Sequence, residues 1–168
     1  MYAPMFGQFQ KTLTQLSTWL DAAERYATER KFDANILVHA RLAPDQFALA
    51  RQVQIACDTA KLGASRLTGK IAPTHADDEA TLADLRARVA SVIAYLRTFT
   101  SADYDGAASR VITQPRWEGK VMSGNDYFLE HVVPNFFFHA THVYALLRHN
   151  GVPVGKKDFL GALSQRPG

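Results

Sequence analysis

The sequence predicts an all-α protein, a four-helix bundle with a crossover connection. Two observations carry this reading. Apolar residues recur at steps of three and four through four long segments, centred in residues 4–28, 44–68, 78–99 and 124–150. The stretch between the third and fourth segments, residues 100–123, breaks the pattern and is long enough to cross the bundle. A tail over 151–168 completes one expected domain.

The first segment repeats Met5, Phe9, Leu13, Leu16, Leu20, Ala23 and Ala27, with mostly polar residues between, as an amphipathic surface helix requires. Pro4 suits its first turn. Residues 31–43 read as a connector. The second helix is expected to begin near Pro44-Asp45 and to stop at Gly69. Ala50, Val53, Cys57, Ala60 and Ala64 form one face, and their small side chains allow close helix approach. Arg51, Gln54, Asp58 and Lys61 form a polar stripe, with Asp58 and Lys61 spaced as an i,i+3 surface pair.

The third segment repeats Leu82, Leu85, Val89, Val92, Leu96 and Phe99. Asp77, Asp78 and Glu79 complement the dipole at its start, and Arg86, Arg88 and Arg97 read as solvated. Within 100–123, the run QPRWEGK accommodates a small hairpin between helices three and four. Ser123 can cap the last helix and Gly151 can follow its end. Pro134 lacks an N–H and crowds the carbonyl one turn back, so a kink is expected near Glu130–Pro134.

Composition narrows the function classes. There is no long uncharged apolar run, so no membrane span is expected. A net charge of +3, without a Lys/Arg cluster interleaved with aromatics, gives no nucleic-acid footprint. The start lacks the pattern of a signal peptide, and the one cysteine, Cys57, fits a reducing cytoplasm. Cys57 sits on the small-residue face and is expected to be buried and inert. No Gly-rich phosphate loop and no GxSxG turn is present.

Chemistry concentrates in NFFFHATHVYALLRHNG, residues 135–151. A helix turns about 100° per residue, so Leu146 and Asn135 lie within about 40° of His139, and Val143 about 40° to the other side. His139 is therefore expected on an apolar, inward face, with Asn135 one turn before it and His142 about 60° away at the edge. Buried polar groups need partners, because an unsatisfied one costs about 1–3 kcal/mol. A metal, a water, each other, or Gln54 and Asp58 of the second helix could serve. The aromatics Phe137 and Tyr144 face away, toward a second layer or a dimer partner.

The stretches ARLAPDQFALARQVQIACDTAK, PNFFFHATHVYALLRHNGV and GKKDFLG resemble an uncharacterised bacterial and fungal family of the DinB/YfiT-like superfamily. That resemblance implies a four-helix bundle with a crossover, often dimeric. It also implies a divalent metal, such as zinc or nickel, on three histidines: one on helix two and a pair four apart on the last helix. Aligned on Leu147-Arg148 and Gly151, His139 matches the second histidine of the pair, Asn135 takes the first position, and His142 takes a glutamine position. Counting back from Arg66-Leu67-Thr68-Gly69 puts the helix-two position near Gln54. Only one of the three ligands is in place, and a Gln/Asn/His set is poor for zinc or nickel.

Three functions compete. The first is a small-molecule-binding bundle with a degenerate metal site between helices two and four, lined by Gln54, Asp58, Asn135, His139, His142 and Phe47. The second is a metal-dependent thiol transferase or hydrolase of the DinB/YfiT type, with His139 as metal ligand. The third is a homodimeric structural or interaction module. Catalytic residues are not assignable from the sequence.

Overall fold

The computed structural model describes residues 1–166. The end of the expected tail, residues 167–168, lies outside the described residues. Four long helical elements form the bundle: α1 (Tyr2–Arg30), α2 (Leu49–Thr68), α3 (Leu82–Leu96) and a composite last helix. The composite runs through α4 (Gly124–Asp126), a π-helical stretch (Tyr127–Val132) and α5 (Val133–His149). A short α6 (Lys156–Leu160) follows.

α1 packs on α3 and α5, and α2 packs on α3 and, most extensively, on α5. The successive helices α1 and α2 touch little, so they lie diagonally across the bundle. The chain crosses between them through a 3-10 turn, Ala34–His39. Phe9, Leu13, Leu16, Leu20, Val53, Cys57, Leu85, Val89, Phe136 and Val143 fill the core and are fully buried.

The helix ends follow the side chains available. Thr81 and Asp84 form a capping box that opens α3. Ser123 Oγ accepts from the Asp126 amide, as expected of a cap. Gly69 ends α2 at φ +82°, a conformation that costs glycine nothing. Two boundaries differ from expectation. α2 begins at Leu49 rather than near Pro44, because Pro44 and Asp45 belong to a turn closed by the Gln46 amide on the Ala43 carbonyl. Asp77 and Glu79 do not cap α3; they turn back to bind Arg88.

Pro134 does not break the last helix. The π-helical turn just before it widens the spiral where the proline ring crowds the preceding turn. The expected hairpin is present and small: Val111 pairs with Ser123 and Ile112 with Met122, antiparallel. Its tip carries a 3-10 turn, Pro115–Trp117, whose Trp117 packs edge-on against Tyr127 and His131. The hairpin thus seats on the π-helical turn.

Phe137 and Tyr144, candidates for a dimer face, are half-buried by contacts within the chain. Phe137 meets Phe9, and Tyr144 meets Trp19 and Phe159. The tail contributes Phe159, stacked on Trp19, whose indole N–H donates to the Asp158 carbonyl at 3.1 Å.

Candidate functional site

The contact between α2 and the composite last helix includes three antiparallel rungs. Gln52 faces His139, Thr59 faces Asn135, and Gly63 faces Val132. Thr59 lies about 20° from Gln52 around the helix and Gly63 about 20° to the other side, so they share one stripe. At the last rung the helices come so close that a Cβ on Gly63 would sit 2.8 Å from Val132 Cγ1.

His139 is 7% exposed, so the inward placement read from the sequence is what the fold adopts. Its Nδ1 lies 2.7 Å from Gln52 Oε1. Gln52 Nε2 in turn donates to the Phe47 carbonyl at 3.2 Å. That carbonyl accepts only, so it fixes the amide with its oxygen toward the imidazole. Nδ1 therefore carries the proton, and Nε2 presents a lone pair. Burial, then the positive side of His142 and Arg51, pushes the ring down to a pKa of about 4. The imidazole is neutral at pH 7. No protein group bonds Nε2 among the described residues, and His139 walls a cleft of about 390 Å³ with Glu130, His131, Pro134, Asn135 and Phe138.

Asn135 Nδ2 donates to Thr59 Oγ1 at 2.6 Å, and the Thr59 hydroxyl donates to the Ile55 carbonyl at 2.7 Å. Asn135 and His131 also wall a second cleft, of about 330 Å³, which adjoins the first. The first is walled by the last helix alone, and the second lies between that helix, α2 and the hairpin; the adjoining pair is called the groove below. The second cleft is lined further by Phe47, Asp58, Thr59, Gln114 and three arginines, Arg51, Arg66 and Arg116.

Of the six residues expected at the site, Phe47, Asp58, Asn135 and His139 line this groove. Gln54 does not. Two residues from Gln52 is about 200° around a helix, and Gln54 points to the opposite side of α2. There it donates to Glu79 at 2.8 Å and accepts from Arg51 at 3.1 Å. The glutamine opposite His139 is Gln52, which the count from Gly69 missed. His142 is likewise absent from the groove lining: its ring lies tilted against Phe138, centroids 4.1 Å apart, and its Nδ1 donates to the Phe138 carbonyl at 2.7 Å.

Asp58 is shared with a second polar assembly, between α2 and α3. Arg88, read from the sequence as solvated, is buried and donates to Asp77 at 2.6 Å, Glu79 at 2.8 Å and Asp58 at 2.8 Å. Lys61, also buried, bonds Asp58 at 2.8 Å and His75 Nδ1 at 2.9 Å. Burial opposes the charge on Arg88, but the bonds to Glu79 and Asp77 and the charge of Asp58 outweigh it and raise its pKa. Burial also opposes the charge on Glu79, and bonds from Arg88 and Gln54 outweigh it and lower its pKa.

The donors do not assemble a metal centre. Among the described residues, no group of three or more His, Cys, Asp or Glu side chains could hold an ion. His139 offers one lone pair, Gln54 is turned away, and Asn135 is spent in part on Thr59. Cys57 is no substitute, because burial pushes its thiol up to about 12.

Residues 1–160 match the family described as "Domain of unknown function (DUF1993)". The chain belongs to that DUF1993 family. A crystal structure of a DinB family member protein from Shewanella denitrificans, at 1.83 Å resolution, is 52% identical and superposes with a TM-score of 0.93. The alignment covers 97% of this chain and 93% of that one. No curated protein matches the chain. This DUF1993 member is thus an all-α bundle of DinB type, and no helix among its described residues is long and apolar enough to cross a membrane.

Proposed function

We propose that this protein binds a small molecule in the adjoining clefts along the last helix, beside its seam with α2. The observation that carries the reading is His139 itself. It is a buried, neutral imidazole whose Nδ1 is held by Gln52, while Nε2 is left as an unbonded acceptor at the wall of a cleft. Apolar walls with a few fixed polar groups are the usual anatomy of a ligand site. Phe47 and Phe138, both about half exposed, supply apolar surface beside the polar groups. An acceptor fixed in this way selects ligands that bring a hydroxyl or an N–H to it. The metal-dependent transferase or hydrolase draws no support from the donor geometry, and Phe137 and Tyr144 already pack against Phe9, Trp19 and Phe159 of their own chain.

The test is retention. Wild-type protein and His139→Leu are incubated with a small-metabolite extract, desalted, and analysed by native mass spectrometry. The wild type is expected to retain a species that the variant loses, with both folded by circular dichroism. Equal retention by both overturns the reading.

A further inference from the structure

The groove's far end, away from His139, carries two arginines that no carboxylate pairs among the described residues. Arg66 projects from α2 and Arg116 from the hairpin tip. Neither has a carboxylate partner among the described residues. Arg66 donates to the Tyr127 hydroxyl at 2.9 Å, and Arg116 donates to His131 Nε2. Tyr127 and His131 stack on each other at 5.4 Å, so the two arginines stand against one aromatic pair. Each guanidinium has five N–H groups, and most of these remain unspent. The one acid lining this cleft, Asp58, is already bonded to Arg88 and Lys61.

A second observation is independent of the charges. Gln114 lines the same cleft and is 7% exposed, yet its Nε2 is buried with no acceptor among the described residues. His131 adds another such donor: Arg116 occupies its Nε2, so its proton sits on Nδ1, which is buried and unpartnered. Unmet buried donors are costly, so this many beside two free cations mark a place for an acceptor from outside.

We propose that Arg66, Arg116 and Gln114 bind the phosphate group of a small phosphate ester. Two unneutralised arginines match a dianion, and planar guanidinium forks match its oxygens. The proposal rests on the reading of the groove as a small-molecule site and specifies the charged end of the ligand. The hairpin has a role in this account: it carries Arg116 and Gln114 to the groove, seated there by Trp117.

Inorganic phosphate is the probe, titrated against chloride at matched ionic strength and followed by phosphorus NMR and calorimetry. The wild type is expected to bind phosphate, with affinity falling at least ten-fold in Arg66→Gln and in Arg116→Gln and several-fold in Gln114→Leu. Arg30→Gln, at the end of α1, is expected to bind like the wild type. Phosphate binding no stronger than chloride, equal binding of acetate, or unchanged affinity in both groove variants overturns the proposal. His139→Leu separates the two claims. It is expected to keep phosphate affinity while losing the retained metabolite. Metabolite retention that depends on His139 without phosphate binding sinks only the phosphate assignment. Phosphate binding without that dependence sinks only the reading of the His139 end.

Discussion

The two polar assemblies that flank α2 differ in one respect: whether their bonding capacity is used up. On the α3 side, Arg88 is surrounded by Asp58, Asp77 and Glu79, and Lys61 by Asp58 and His75. Cations meet anions, and Arg88 Nε alone lacks a partner among the knot's charged groups. On the α5 side, His139, Gln114, Arg66 and Arg116 line clefts with capacity to spare: His139 Nε2 and Gln114 Nε2 have no partner among the described residues, and neither arginine has a carboxylate. A closed network locks two helices in register. An open one has something left to offer a ligand.

The largest effect should come from the closed side. Arg88→Met leaves Glu79 without a cation and Asp58 and Asp77 with only Lys61 and Arg51. Breaking a buried network by removing one partner costs about 3–5 kcal/mol, read as a fall in the urea midpoint. Arg116→Met, on the open side, should cost almost no stability. Similar losses for the two would erase the distinction.

Acid sharpens the contrast next. The folded pKa of His139 lies below its unfolded value of 6.5, so the unfolded chain binds the extra proton between them. The stability held by the neutral ring is complete above pH 6.5 and declines as pH falls toward about 4, by about 3 kcal/mol. His75 and His131, also lowered chiefly by burial, act in the same direction. The stability-against-pH slope between 6.5 and 4 should flatten in His139→Leu. An unchanged slope would mean the ring is not held neutral.

Smaller still is the Gln52 bond. Gln52→Leu strands the His139 Nδ1 proton and should cost about 1–3 kcal/mol. The double variant Gln52→Leu/His139→Leu should recover most of that loss, because neither partner is left unmet. A double variant as unstable as the sum of the singles would deny the coupling. Least of all, Cys57 should resist iodoacetamide in the folded protein and react only after denaturation, since its thiol is buried and held up to about 12.

The bundle was legible because its signals are local and repeated. The 3.6-residue pattern marks α1, α2 and α3, and Ser123, Gly69 and Gly151 mark ends. His139 was legible too, by its angle among Leu146 and Val143. What sits opposite it was not. Helix spacing orders residues on one helix, but the register between α2 and α5 is set by packing at Gly63 and Val132. A count that slips by two residues rotates the side chain by about 200°, and that substituted Gln54 for Gln52. Arg88 did leave a signal: it lies about 40° from Val92 and about 60° from Leu85, on the apolar stripe. A charge there must be buried and paired. The groove's arginines left none, because Arg66 and Arg116 meet only through the hairpin, whose seat depends on Trp117.

Nitrogen-15 NMR of the His139 ring tests the open side most directly. At pH 7 the ring should be the neutral tautomer protonated at Nδ1, with an unprotonated Nε2 that shifts when the retained metabolite is added, and it should titrate near pH 4. A ring protonated at Nε2, or one that charges near pH 6.5, would contradict the account.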